Sequence, residues 1–291
     1  MSRADRAISR WKERLTPITV NGLRTFVLDE GEGDPVVFLH GIPTSSFLWR
    51  DVVPIVALEH RCIAPDLLGF GFADRPDKAD LSPAGQAAFL TGLLDALDIE
   101  RVALVGHDYG ALVACEFLAR APERVSAMVV TNTSVWLDDW KSSSLSPLRL
   151  ISTPVIGKVA TAAARPFMLK QAFRFYTEET DRLTDEVMAV YWQPFTDGFW
   201  DVLRRLNEVD GMTSTEFHRW REALYNFTGP GLVAWGANDP TFPPNRGAEI
   251  GKLLHDSRTD IFEHANHFIQ EDRPEALGRL IVAFLNGSLL R

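Results

Sequence analysis

The chain reads as an α/β domain: a mostly parallel central sheet flanked by helices, with a helical insertion. Three observations predict it. Short continuous apolar runs, typical of strands buried on both faces of a sheet, alternate with helix-like stretches along most of the sequence. Several of these runs end in a polar or glycine-rich turn, as strands of open α/β sheets do where they present a site. The alternation breaks once, in a long middle stretch that is helical and irregular. At 291 residues and 46% hydrophobic content, the chain can bury a core of this size.

The elements follow in order. Pro35-Val36-Val37-Phe38-Leu39 is a buried-strand run that ends in His40-Gly41-Ile42-Pro43-Thr44-Ser45-Ser46. Val102 to Val105 forms a second run, followed by Gly106-His107-Asp108-Tyr109-Gly110 and then by an Ala-rich helical stretch, 111–119. Val125 to Val130 is again core-like. From Ser134 to Met212 the pattern turns helical, with prolines at 147, 154, 166 and 194 and with Trp136, Trp140, Tyr176, Tyr191, Trp192 and Trp200. Within it, Thr184 before Asp185 and Glu186 is a helix-start signature. The strand pattern resumes at Gly231 to Trp235 and Thr259 to Phe262, and a helix is expected near Arg273 to Leu285. The expected division is a core of residues 1–133 and 213–291, with a cap of residues 134–212.

Strand, sharp turn and helix around Gly106 to Gly110 is the setting of a nucleophile elbow. Glycines at both ends let the chain fold tightly enough to lift the middle side chain into a pocket. The middle residue is Asp108, where an esterase would carry serine. A serine attacking saturated carbon would form an ether that water does not cleave under mild conditions. A carboxylate forms an ester there, and esters hydrolyse. Asp108 therefore points to electrophilic sp3 carbon, as in alkyl halides and epoxides. The plainer reading of Asp108 is a cap for the helix that follows.

Two further polar residues follow strand ends. Asp239 lies in Gly236-Ala237-Asn238-Asp239-Pro240, and His267 lies in Glu263-His264-Ala265-Asn266-His267-Phe268. Nucleophile, acid, histidine is the chain order of α/β-hydrolase triads. His264 competes with His267 for the role of base.

Together the motifs resemble the haloalkane dehalogenase and epoxide hydrolase branch of the α/β-hydrolase superfamily. They are His40-Gly41-Ile42-Pro43, Asp66-Leu67-Leu68-Gly69-Phe70-Gly71, Gly106-His107-Asp108-Tyr109-Gly110, Trp235-Gly236-Ala237-Asn238-Asp239-Pro240 and the loop from His267 to Glu275. The resemblance implies the α/β-hydrolase fold, a helical cap inserted between the sixth and seventh core strands, and an oxyanion hole from the N–H groups of Ile42 and Tyr109. It selects His267 as base and Asp239 as the acid that orients it. It also implies a small, largely apolar organic substrate and a reaction that needs no cofactor.

The leaving group divides the branch. Haloalkane dehalogenases usually place Trp after the nucleophile and often Asn after His-Gly, both donating to halide. This chain has Tyr109 and Ile42, so Tyr109 or a cap residue such as Trp136 or Trp192 is the candidate donor. The Arg that fluoroacetate dehalogenases place after the nucleophile is also absent. Epoxide hydrolases protonate the epoxide oxygen with cap tyrosines, for which Tyr176 and Tyr191 are candidates. The wording of the His-Gly loop, of residues 183–195 and of the histidine loop ranks halide displacement first and epoxide opening second. A ligand sensor and a cofactor-free oxygenase are the readings from other classes.

A net charge of −9 argues against nucleic acid and anionic membranes as partners. Residues 1–14 are charged and lack the apolar stretch of a secretory signal, and no run reaches the ~18 apolar residues of a membrane span. Cys62 and Cys115 sit in apolar contexts as expected free thiols, which fits a cytoplasmic protein. No Cys/His spacing suggests a metal site.

Overall fold

The computed structural model describes residues 1–142, 164–208 and 212–287. An eight-stranded sheet runs through the molecule: β1 (Leu15–Val20), β2 (Leu23–Glu30), β3 (Pro35–Leu39), β4 (Arg61–Pro65), β5 (Val102–His107), β6 (Val125–Thr131), β7 (Pro230–Gly236) and β8 (Asp256–Phe262). Their spatial order is β1-β2-β4-β3-β5-β6-β7-β8. β2 pairs antiparallel with β1 and β4, and every pair from β4 to β8 is parallel. The apolar runs form β3, β5, β6 and β7, whose residues are almost wholly buried because helices cover both faces. At the edge, β8 keeps a half-exposed pattern.

Tyr109–Arg120 is the central helix, and residues 109–118 are all buried. Its one buried acid, Glu116, is paired with Arg120 at 2.6 Å, with Arg219, and with the Trp220 indole N–H at 2.7 Å. Those bonds fasten the helix Ser214–Asn226 against it. Cys62 and Cys115 are buried free thiols. Among the described residues, no helix is long and apolar enough to cross a membrane.

Between β6 and β7 lie the helices Leu137–Ser142, Pro166–Phe175, Asp185–Trp192 and Phe199–Glu208, in the stretch where an insertion is expected. Thr184 caps Asp185–Trp192 by accepting from the Val187 N–H. Pro147 and Pro154 lie outside the described residues. The charged start of the chain forms the helix Arg3–Glu13, opened by a Ser2–Asp5 capping box and seated through buried Trp11. Trp11 meets Phe47 edge-on at 5.0 Å.

The register brings the site together. Leu39 pairs with Gly106, so the loop after β3 sits beside the turn after β5. The C-terminal ends of β6, β7 and β8 follow alongside, and polar residues beyond all these ends face one crevice.

Candidate active site

Asp108 occupies the turn between β5 and the central helix, with φ 52° and ψ −122°. A positive φ is costly for a residue with a Cβ, by about 1–3 kcal/mol, so the surroundings must hold it. Asp108 N–H donates to Thr131 O at 3.3 Å, and its carbonyl accepts from the Thr133 hydroxyl at 2.8 Å. Glycines permit the close approach: a Cβ at Gly41 would collide with the Asp108 side chain, and one at Gly110 with the Leu39 carbonyl. Asp108 stands at the helix N-cap but makes no capping bond with its side chain.

The carboxylate turns into the crevice instead. Its Oδ1 accepts from the Ile42 N–H at 2.9 Å, and the neighbouring Tyr109 N–H favours the ionised carboxylate. Oδ2 accepts no hydrogen bond from any described residue and lies 3.8 Å from His267 Nε2. Burial pushes the Asp108 carboxyl up to about 6, against the lowering effect of His267 and the two N–H groups.

His267 Nδ1 meets Asp239 Oδ2 at 2.9 Å, and both residues are buried. Asp239 also accepts from Thr241 N–H at 2.7 Å, Phe242 N–H at 3.1 Å and Asn132 Nδ2 at 2.9 Å. Burial by itself would push the His267 imidazole down. The charge and hydrogen bond of Asp239, with the charge of Asp108, carry it above its ordinary value. His107 packs on the His267 ring at 4.8 Å between centroids, with its own pKa held low by burial. His264 is exposed.

Asn132 was not singled out by sequence, although it follows the apolar run of β6 just as Asp108 and Asp239 follow theirs. Its φ is 37°, and its side chain bridges Asp239 Oδ2 and the Gly236 N–H at 3.2 Å.

The leaving-group candidates separate. The Tyr109 ring stacks beside Phe70 and its hydroxyl donates to the Leu81 carbonyl, so only its N–H faces Asp108. That differs from the expectation of a donor, because the first helical turn rotates the ring away from the carboxylate. Tyr191 is buried with its hydroxyl on Glu271 and Arg50, joining the helix Asp185–Trp192 to the turn after His267 rather than facing the crevice. Trp192 stacks on Phe195 at 5.2 Å and lines a groove of about 780 Å³ between the helices Pro166–Phe175 and Asp185–Trp192 and the helix Arg3–Glu13. The Trp136 ring packs under the Arg246 guanidinium at 4.8 Å. Of these candidates, Tyr176 is placed against His267, edge-on to its ring at 5.7 Å. Ile42 contributes its N–H and no side-chain donor. Among the described residues, no three His, Cys, Asp or Glu side chains group as a metal site would require.

Comparison with known proteins gives a consistent picture. Residues 34–274 match the model of the alpha/beta hydrolase fold family. A haloalkane dehalogenase of Mesorhizobium japonicum is 31% identical over 90% of this chain and 87% of its own length. A cis-3-alkyl-4-alkyloxetan-2-one decarboxylase of Shewanella oneidensis is 27% identical over 87% of this chain and 82% of its own. The crystal structure of haloalkane dehalogenase DbeA from Bradyrhizobium elkani superposes with a TM-score of 0.82 at 28% identity, covering 94% of this chain and 97% of that one.

Proposed function

The chain belongs to the α/β-hydrolase family, in its haloalkane dehalogenase branch, and from that premise we propose that it hydrolyses an electrophilic sp3 carbon through an ester on Asp108. The observation that carries this reading is the division of labour within one carboxylate. Oδ1 is held by the Ile42 N–H, while Oδ2 is unpartnered 3.8 Å from His267 Nε2.

In the first step Asp108 Oδ2 attacks the carbon in line, and halide leaves with the electrons of the broken bond. His267 Nε2 then takes a proton from a water that attacks the Asp108 carboxyl carbon. The Ile42 N–H, already on Oδ1, and the neighbouring Tyr109 N–H would stabilise the oxyanion that forms there, where such donors are typically worth about 10²–10³ in rate each. The ester C–O bond breaks, the alcohol takes the proton from His267, and the Asp108 carboxyl, which keeps the second proton of the water, releases it to solvent to restore the carboxylate. Esterification also removes the Asp108 charge that helps hold the His267 imidazole high, so the ring becomes easier to keep neutral when a base is needed. Residues 134–212 act as the cap that closes over a small, largely apolar substrate.

A second reading is epoxide opening to a diol, favoured by the position of Tyr176 against His267. An alkoxide leaves poorly without a proton, which a tyrosine can supply.

The test is His267→Phe with a panel of bromoalkanes and styrene-type epoxides. Alkylation should proceed once, releasing one halide per enzyme and leaving a stable adduct on Asp108 by intact-protein mass. Continued turnover, or an adduct on another residue, would refute the assignment. In wild type, a single turnover in water enriched in the heavy oxygen isotope should put label in the Asp108 carboxylate and leave the first product unlabelled. Epoxide conversion that Tyr176→Phe slows, without halide release from any bromoalkane, would select the second reading.

A further inference from the structure

The loop that carries His267 runs straight into a short helical turn, Ile269–Asp272, whose two acids are buried at 0% and 3% exposure. The chemistry described above uses neither. Glu271 pairs with Arg50 and Tyr191. Asp272 faces the other way and meets only backbone: Oδ2 accepts from the Asn266 N–H at 2.7 Å, and Oδ1 accepts from the Glu178 and Glu179 N–H groups at 2.8 and 2.9 Å. One carboxylate thus joins the His267 loop to the segment Phe175–Glu179.

Further bonds cross the same seam. Asn266 Nδ2 donates to the Phe175 carbonyl at 3.2 Å, and Phe268 N–H donates to the Tyr176 carbonyl at 3.1 Å. Asn266 Oδ1 accepts from the His267 N–H itself at 2.7 Å, so Asp272 holds His267 through one intervening residue. Without the carboxylate, three inward-facing N–H groups lose their acceptor, and the loop and the cap segment lose the group that joins them.

We propose that Asp272 is a positioning residue for His267, anchoring the base-bearing loop to the segment 175–179 so that ester hydrolysis depends on it and alkylation does not. The proposal rests on the reading of His267 as the base for the second step. A base displaced by a fraction of an ångström loses its line to the water, whereas Asp108 keeps its own supports from Ile42, Thr131 and Thr133.

The experiment compares wild type, Asp272→Ala and Asp272→Asn by rapid quench with 1-bromobutane and styrene oxide, reading bromide, product and the Asp108 adduct separately. Hydrolysis should slow by roughly tenfold or more while alkylation changes by less than about threefold, so that adduct accumulates. Equal slowing of both steps, or of neither, would overturn the proposal. Should Asp272→Ala fail to fold, Asp272→Asn carries the same comparison, because it keeps one acceptor oxygen. If wild type forms no Asp108 adduct with either probe, the reading of the reaction fails, and hydrogen exchange decides the anchor. Asn266, Glu178 and Glu179 amides should then exchange at least about tenfold faster in the variant with β5 unchanged, as loss of local protection requires. Unchanged protection there would overturn the anchor as well.

Discussion

Burial pushes the Asp108 carboxyl up to about 6, so protonation reaches the proposed nucleophile at a pH where an exposed aspartate is still charged. Only the ionised form attacks. Single-turnover alkylation should therefore hold steady above that value and fall about tenfold per pH unit below it; an acid limb near 4 would contradict the burial argument. Tyr109 makes a second residue-scale case. Tyr109→Phe leaves the Leu81 carbonyl without its donor, which should cost about 1–3 kcal/mol in denaturant unfolding and leave halide release unchanged. Asn132→Ala should do the reverse to function: it deprives Asp239 of one donor and Gly236 of its acceptor, and the His267-dependent step should slow more than alkylation. Asp108 and Asp239 could each be picked from the sequence because a charged residue follows an apolar run, whereas His267 was preferred to His264 only through the resemblance of its loop. Asn132 has the same position without the charge, and the direction of the Tyr109 hydroxyl depends on helix rotation that no motif encodes.

Elements were legible where one physical rule governs them. Strands buried on both faces must be apolar throughout, which is why β3, β5, β6 and β7 stand out in the sequence. The helix start at Thr184 was legible because a hydroxyl there satisfies an N–H that the helix cannot, and Thr184→Ala should cost about 1 kcal/mol, read as a shift in denaturant midpoint without a change in slope. Other elements carried weaker signals. The helix Arg3–Glu13 shows only Ala4, Ala7, Ile8 and Trp11 among its polar residues, and its seat on the body of the protein comes from Trp11 meeting Phe47. The turn Ile269–Asp272 spans four residues, too few for any periodicity, yet it holds the acids that tie the histidine loop to its surroundings.

At the scale of the molecule, the segment after the Ile42 loop, the helix Asp185–Trp192 and the turn after His267 meet in one buried network. Arg50 reaches both oxygens of Glu271 at 2.6 Å, and Tyr191 donates to the same carboxylate. Removing one partner strands the other charge, so Glu271→Ala should destabilise by about 3–5 kcal/mol in equilibrium unfolding, more than Tyr191→Phe. A loss below about 1 kcal/mol would mean that water reaches Arg50 in the variant and the network does not hold these three segments together.

The sequence by itself determined the fold class, the family, and the kind of chemistry that an aspartate in the elbow can perform. Those depend on local rules: apolar runs for buried strands, glycines where backbone must approach closely, and a carboxylate where a hydrolysable ester is wanted. Tertiary structure alone decided which oxygen of Asp108 is held by the Ile42 N–H and which lies beside His267. It likewise sent the hydroxyls of Tyr109 and Tyr191 to partners away from the crevice and set Asn132 behind Asp239 and Asp272 behind the His267 loop. Each of these is a meeting of residues from elements distant in sequence, fixed by strand register and helix rotation, and so without a local signature.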